Sequence, residues 1–203
     1  MSLHELGIKY KTDKATWHGY CEYYEKLLNK NPKIVWEIGV LEGASINMWS
    51  EFYPEAKIIG FDINDKKHLK LNANCFTELL DQSNQNQLME LSKRKNVDII
   101  LDDGSHNVGH QILTFECLFN SLKSGGQYVI EDLSTSLVND KNGVKNQKGA
   151  LQYLQDIMLG RTPQNYPGQI KTSQIIKQIK NVIIFENIHS DGQRSISSVI
   201  TKV

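Results

Sequence analysis

The sequence is poor in cysteine and proline, carries no excess of charge of either sign, and contains no long apolar run. Only three cysteines and four prolines occur among its 203 residues. Cys21, Cys75 and Cys117 are odd in number and far apart, which argues against a disulfide framework and against a cysteine-rich metal site. Free thiols of this kind are typical of a reducing compartment, so we expect a cytoplasmic protein.

The charge balance and the hydropathy narrow the classes of partner. Lys plus Arg and Asp plus Glu both number 23, so the formal net charge is zero and bulk electrostatics give no support for nucleic-acid binding. The basic clusters at 66–70 and 93–95 are interpreted as solvated surface. No apolar run reaches the length of a membrane span, and the polar residues 1–14 do not resemble a signal peptide. We therefore expect neither nucleic acid nor a membrane as a partner.

Short apolar runs alternate with amphipathic stretches through the middle of the chain. The predicted strands are 34–38, 57–61, 75–80, 97–101 and 127–130. The predicted helices are 44–52, 66–72, 85–93 and 109–122. This alternation is typical of an α/β fold, with a parallel sheet and helices on both faces.

The two ends of the chain have different patterns. Residues 1–30 predict a helical arm, because tyrosines and leucines recur there at spacings of three and four. Near the other end, the β-rich runs 181–185 and 195–200 flank an Asp191-Gly192 turn signal and predict an antiparallel hairpin. The sequence thus predicts one domain over 1–203, with a mostly parallel seven-stranded sheet and a C-terminal antiparallel hairpin.

Residues 133–172 interrupt this pattern with a long polar insert. It contains Pro163 and Pro167 and one predicted helix near 150–159. A long irregular segment after a strand end is often a lid over a substrate, and this is our interpretation of 133–172. A surface loop without function is the alternative.

The residues most suggestive of chemistry follow two of the apolar runs. Asp102-Asp103-Gly-Ser-His106 ends the run at 97–101, and Glu131-Asp132 ends the run at 127–130. Because ligands collect at the carboxyl ends of parallel strands, up to four carboxylates and one imidazole are expected at one edge of the sheet. Carboxylate oxygens suit Mg²⁺, and a neighbouring histidine suits a general base. The pattern favours an enzyme, although a loop or N-cap role for His106 is the simpler interpretation of that position alone.

The first predicted strand runs into a glycine turn, Glu37-Ile-Gly39-Val-Leu-Glu-Gly43. Glycine lets the backbone approach a ligand closely, and the helix start that follows offers free N–H groups. The spacing differs from the dinucleotide pattern Gly-x-Gly-x-x-Gly, and Glu37 would serve a pyrophosphate poorly. A cationic or zwitterionic ligand would tolerate this carboxylate.

The next two strand ends also carry polar residues. Asp62 ends the second strand, where a carboxylate can accept both hydroxyls of a ribose. Asp81 and Gln82 end the third strand, where they are placed to read an adenine edge. In this order along the chain, the strand ends predict a nucleoside-type site.

These motifs resemble the class I S-adenosylmethionine-dependent methyltransferases. More narrowly, they resemble the metal-dependent sugar O-methyltransferases of macrolide pathways, of the mycinamicin and macrocin type, and relatives in bacterial surface-polysaccharide clusters. The matching motifs are Gly7-x-x-x-x-Thr-Asp-Lys14 with His18 and Tyr20, Glu37-Ile-Gly-Val-x-x-Gly43, Gly60-Phe-Asp62, Asp81-Gln-Ser83, Asp102-Asp-Gly-Ser-His106 and Glu131-Asp132. They cover most of residues 5–135, and the resemblance implies a Rossmann-like methyltransferase fold.

The resemblance also implies S-adenosylmethionine and Mg²⁺ as cofactors, and a sugar or a glycosylated small molecule as acceptor. It implies Asp103, Glu131 and Asp132 as metal ligands and His106 as the base. The positions expected at the cofactor are Glu37, Gly39, Gly43, Asp62, Asp81, Gln82, Asp102 and Asp13, with Thr12 and Lys14 near its methionine end. The sequence leaves open whether the protein is a homo-oligomer.

Two other functions are compatible with the sequence. A catechol-type O-methyltransferase would share fold, cofactor and metal but take an aromatic acceptor, for which Trp17, Tyr153 and Tyr166 are available. A protein that binds the cofactor without catalysis is the other alternative. The intact acid cluster argues against it, because crowding like charges is unfavourable without a cation.

Overall fold

The computed structural model describes residues 1–137, 148–170 and 172–203. The N-terminal arm, residues 1–30, consists of three short helices, α1 (Leu3–Tyr10), α2 (Asp13–Thr16) and α3 (Cys21–Leu27). A capping box begins α1: the Ser2 hydroxyl accepts the N–H of Glu5 at 3.2 Å, and the Glu5 carboxylate accepts the N–H of Ser2 at 2.8 Å. The arm packs on the sheet through one apolar face that includes the buried Tyr20 and Tyr24.

Seven strands and five further helices follow the arm in the described part of the chain. The strands are β1 (Ile34–Ile38), β2 (Lys57–Asp62), β3 (Cys75–Leu79), β4 (Val97–Asp102), β5 (Leu122–Ile130), β6 (Ile179–Ile188) and β7 (Arg194–Lys202). The helices are α4 (Ala44–Phe52), α5 (Gln85–Leu91), α6 (Val108–Leu118), α7 (Ala150–Met158) and α8 (Thr172–Ile176). Short 3₁₀ turns lie at Phe119–Ser121 and Leu133–Ser136. Among the described residues, no helix combines the length and apolar character needed to cross a bilayer.

The strands form one sheet in the order β3-β2-β1-β4-β5-β7-β6. The first five are parallel, and β7 lies antiparallel between β5 and β6. The predicted mostly parallel seven-stranded sheet with a C-terminal antiparallel hairpin is therefore confirmed. Asp102, at the end of β4, pairs with Ile38 of β1 on one side and Ile130 of β5 on the other, so three strands end at one edge.

Helices cover both faces of this sheet, as the alternation predicted. On β4, Ile100 packs in a core with Phe115 of α6, whereas Ile99 and Leu101 pack in a second core with Trp49 of α4. A central strand that is apolar on both faces is typical of parallel sheets. Packing on both faces fixes the end of β4 and thereby positions the acids that follow this strand.

Two predicted elements were wrong in detail. Residues 66–72 are not helical: Leu69 and Leu71 both pack against the core, and a spacing of two suits extended chain rather than a helix. Gly125 and Gly126 do not precede β5 but lie within it, where the register against β4 shifts between Val97 and Ile99. Glycine, here with φ of +71° at Gly125, accommodates such a bulge.

The described part of the 133–172 insert is attached to the core. Its helix α7 buries four residues, and its Tyr153 hydroxyl donates to the buried Glu116 carboxylate of α6 at 2.8 Å. The same carboxylate accepts the N–H of Ile170 at 2.6 Å and the hydroxyl of Thr172. Residues 138–147 and 171 of the predicted lid lie outside the described residues.

Candidate active site

Acidic side chains gather where β1, β4 and β5 end. Glu37, Asp102 and Glu131 are buried, whereas the side chains of Asp103 and Asp132 are 21% and 17% exposed. Burial raises the pKa of Glu37 and of Asp102 to about 7, and the nearby Asp103 charge adds to this effect. The sequence predicted this gathering of acids at one edge of the sheet.

One buried ammonium group lies among these carboxylates. The Nζ atom of Lys14, on α2, is 3.0 Å from Glu131 Oε2 and 3.4 Å from Glu37 Oε1, and it forms an ion pair with Asp103. Burial by itself would lower the pKa of Lys14, but the three carboxylates raise it well above its ordinary value. The resemblance had placed Lys14 only near the methionine end of the cofactor.

We expect the substitution Lys14→Met to destabilise the protein strongly. It keeps an unbranched side chain but leaves the buried carboxylates without their cation, and breaking a buried ion pair in this way costs about 3–5 kcal/mol. Urea unfolding in metal-free buffer measures the loss. Lys9→Met is the matched control, because Lys9 on α1 is exposed, where its ion pair with Glu51 and its position over the Tyr10 ring should matter little. Equal stability of the two variants would contradict the prediction.

The arm also contacts the carboxylate of Asp132. The Tyr20 hydroxyl donates to Asp132 Oδ1 at 2.9 Å, and His18 Nδ1 lies 3.7 Å from the same oxygen. His106 Nδ1 lies 3.4 Å from Asp132 Oδ2. Both Asp132 and His106 have left-handed backbone conformations, with φ of +51° and +55°. His18 and Tyr20 stood in the sequence only as parts of a motif, and the structure places both at the acids.

The carboxylates and the imidazole fit a hard divalent cation. Asp103, His106 and Asp132 offer ligand atoms that lie within 4.8 Å of one another. Glu131 turns Oε2 towards Lys14, and its Oε1 is buried without a hydrogen-bond partner among the described residues. One ammonium does not balance this many carboxylates, and Mg²⁺, which takes oxygen ligands, would compensate the excess negative charge.

A cavity of about 560 Å³ opens beside these acids. Asp13 of the arm lines one side, Gly39 and Asp62 line another, and Asp103 and His106 line the side towards the acid cluster. The structure therefore brings five of the predicted site residues to one cavity. A nucleoside with an attached amino-acid chain would place its charged end close to the acids.

A second cavity of about 280 Å³ adjoins the first at Gly39 and Asp62. Asp81 and Gln82 line it together with apolar residues such as Leu80. This combination of apolar and polar lining residues suits a base ring. Asp81 and Gln82 follow the end of β3 and line the same cavity as Asp62, so their expected contact with an adenine stays a prediction.

The glycine turn is fixed by close backbone contacts. Gly39 has φ of +93°, and a Cβ atom there would stand 2.0 Å from the carbonyl oxygen of Asp103, so only glycine fits. Asp62 Oδ2 accepts the N–H groups of Val40 at 3.0 Å and Leu41 at 3.3 Å. Asp62 therefore holds the turn in addition to facing the cavity.

Three of the residues expected at the cofactor lie behind the cavity walls. Glu37 accepts a hydrogen bond from Ser45 at 2.9 Å, and Asp102 accepts one from Gln82 at 2.6 Å. Gly43, with φ of +79°, is the N-cap residue of α4. Their positions suit the support of neighbouring wall residues rather than contact with a ligand.

The chain has the fold of the class I S-adenosylmethionine-dependent methyltransferases, as the motifs predicted. All of it superposes on 53% of a solved MycE methyltransferase from the mycinamycin biosynthetic pathway, in complex with Mg, SAH and mycinamycin VI, with a TM-score of 0.77 and 26% identity. No protein-family model matches the chain.

Its curated relatives are sugar O-methyltransferases, in agreement with the resemblance. Over 146 residues, 66% of the chain, it is 36% identical to demethylmacrocin O-methyltransferase of Streptomyces fradiae, covering 37% of that protein. Over 142 residues, 64% of the chain, it is 34% identical to 8-demethyl-8-alpha-L-rhamnosyl tetracenomycin-C 2'-O-methyltransferase of Streptomyces olivaceus, again covering 37%. The chain thus spans little more than a third of the length of these relatives.

Proposed function

We propose that this chain transfers a methyl group from S-adenosylmethionine to a sugar hydroxyl, with Mg²⁺ as the metal. We call Asp103, His106 and Asp132 the cation-type cluster, and the cavity of about 560 Å³ with its smaller neighbour the nucleoside-type cavities. One observation carries the proposal: Asp103 and His106 belong to the cation-type cluster and also line the larger of these cavities. A methyl donor and a metal at these places would be neighbours. The sugar O-methyltransferases among the relatives support the same reaction.

The cofactor residues are assigned by their place around the two cavities. Asp62 would accept the ribose hydroxyls, and Asp81 and Gln82 would meet the adenine. Gly39 would allow close approach of the backbone, and Asp13 would face the methionine end. Glu37, Gly43 and Asp102 would support these residues from behind.

The chain must align an acceptor hydroxyl with the methyl group and remove the hydroxyl proton. Asp103 and Asp132, with Glu131, would hold the metal, which supplies Lewis-acid polarisation of the acceptor when bound. His106 would accept the proton at an imidazole nitrogen, because its ring stands beside Asp132 and reaches the cavity. Lys14 and Tyr20 would keep the carboxylates in place.

The acceptor would be a glycosylated natural product or a bacterial surface polysaccharide. The names of the relatives support the first, since both act on glycosides of natural products. The buried thiols of Cys21 and Cys75 support a cytoplasmic setting. The described core elements are consistent with a single methyltransferase domain over 1–203.

An acceptor screen tests the proposed reaction. Protein with labelled S-adenosylmethionine and Mg²⁺ is incubated with demethylmacrocin, mycinamicin VI, simple methyl rhamnosides and a catechol, and products are detected by mass. We expect label on a glycoside and none after exhaustive chelation. Label on the catechol alone would favour the aromatic alternative. Cofactor binding by calorimetry without any transfer would favour the non-catalytic one, and binding of a nicotinamide dinucleotide alone would refute the site assignment.

We also propose that the 133–172 insert acts as an acceptor lid, because it starts directly after Asp132. Since α7 belongs to the core, the informative change is to replace only residues 138–147 by a Gly-Ser linker of equal length. Acceptor KM should rise markedly, while affinity for S-adenosylmethionine stays unchanged, as measured by steady-state kinetics and calorimetry. Unchanged acceptor kinetics in a stably folded variant would reduce this part of the insert to a surface loop.

A further inference from the structure

The indole ring of Trp17 presents an exposed aromatic surface and is linked to Asp132 of the acid cluster through three polar neighbours, His189, Ser195 and His18. Trp17 follows α2, is 49% exposed, and stacks on the imidazole of His189 with ring centroids 4.6 Å apart and planes inclined by 12°. His189 lies in the turn between β6 and β7, and its Nε2 is 2.7 Å from Ser195 Oγ. His18 contacts the same hydroxyl at 2.8 Å and lies 3.7 Å from Asp132.

The order of the strands places this pair of rings on the side away from the nucleoside-type cavities. Those cavities lie over the ends of β3, β2, β1 and β4, and the acids stand at the ends of β4 and β5. The next strands along the same edge are β7 and β6, which carry Ser195 and lead to His189. An acceptor that reaches Asp132 from the side opposite the cofactor would therefore pass the Trp17–His189 pair.

We propose that Trp17 and His189 form an acceptor wall that packs against the apolar face of the acceptor's sugar ring. This inference rests on the proposed function. A pyranose carries C–H groups on its faces and hydroxyls around its rim. An exposed indole gains free energy when such a face removes it from water, and the stacked imidazole holds the indole in place. The rim hydroxyls would then point towards the acids, where one of them is methylated.

A purely structural role makes a different prediction. Trp17 would then only fasten the N-terminal arm to the β6–β7 hairpin. Tyr23 does the same at another place, since it stacks on Phe185 at 4.4 Å and donates to the Glu186 carbonyl at 3.3 Å. The ring and hydroxyl of Tyr23 contact Phe185 and Glu186, and neither of these residues belongs to the acid cluster or to the acceptor wall. Tyr23→Leu is therefore the matched control for loosening of the arm.

Fluorescence offers a readout that does not depend on turnover. Trp36 and Trp49 are buried, so the emission that iodide quenches comes from Trp17. The probe is methyl α-L-rhamnopyranoside, added to protein loaded with Mg²⁺ and S-adenosylhomocysteine. We expect saturable protection from iodide in the wild type and in Tyr23→Leu, and none from an equal concentration of glycerol.

Saturation-transfer NMR with the same probe completes the test. Trp17→Ala should weaken binding about tenfold, the range expected for losing one aromatic stacking contact, and should remove transfer to the ring C–H protons. Equal binding in Trp17→Ala and wild type, equal losses in Trp17→Ala and Tyr23→Leu, or no binding of the rhamnoside to the wild type would each overturn the proposal. Methyl transfer is scored separately: rhamnoside binding at Trp17 without transfer to any acceptor would refute the proposed function and leave the acceptor wall standing.

Discussion

Replacing His106 by alanine is expected to lower kcat by ~10²–10⁴, the usual span for the loss of a positioned general base. His106 lies three residues after Asp103, at the turn into α6, and its side chain is 39% exposed. Its ring belongs to the cation-type cluster and also lines the larger cavity, which is the proposed place of the methyl donor. Affinity for S-adenosylmethionine should fall far less than kcat, because His106 is only one of many residues in the wall of that cavity; calorimetry beside the kinetics measures it.

His110→Ala is the matched control for this prediction. His110 is on α6, the helix that begins after His106, and its Nδ1 lies 2.9 Å from Ser105 Oγ beside the smaller cavity. Its loss should affect cofactor affinity and leave kcat at saturating cofactor nearly unchanged. Wild-type turnover in His106→Ala would show that His106 is structural. A large fall in metal affinity would instead make His106 a metal ligand.

The substitution Asp132→Asn is expected to reduce turnover to background and to abolish metal binding. Asparagine keeps the size of the side chain, tolerates the left-handed backbone found here, and retains an oxygen that accepts from Tyr20. Only the negative charge is lost, and a neutral amide is a much weaker ligand for Mg²⁺ than a carboxylate. Titration with Mn²⁺ followed by electron paramagnetic resonance measures the metal affinity directly.

Two controls separate loss of the metal from loss of the fold. S-adenosylhomocysteine should bind Asp132→Asn as it binds the wild type, because Asp132 lines neither cavity. Asp191→Asn, in the exposed turn before β7, removes an acid of the same type and should leave Mn²⁺ binding unchanged. Full activity of Asp132→Asn, or of the wild type after exhaustive chelation, would remove the metal from the mechanism.

The strand ends were predictable because each buried strand is a short apolar run that stops at an acid. Since parallel strands end at the same edge, Asp103 and Asp132 could be placed together without knowledge of the fold's details. The stretch containing Leu69 and Leu71 was harder, because its lysines suit a helix surface as well as an exposed loop. Tertiary packing of the two leucines decides its conformation.

The contacts of the N-terminal arm could not be predicted from the chain itself. Lys14 meets Glu131 across a separation of 117 residues, and no periodicity or spacing links two such positions. The same holds for Tyr20 and Asp132, which are 112 residues apart. Nor does a sequence show which way a carboxylate turns, and Glu131 turns its Oε2 atom to Lys14 Nζ at 3.0 Å.

The left-handed conformations of His106 and Asp132 have a consequence for how this protein can evolve. Each costs of order 1 kcal/mol relative to glycine, which adopts the same backbone without a steric penalty. A change to glycine at either place would thus relieve strain while deleting an imidazole or a carboxylate. Selection for stability therefore favours glycine at these two positions, whereas selection for activity favours histidine and aspartate. We therefore expect glycine at positions 106 and 132 in homologues that have lost activity.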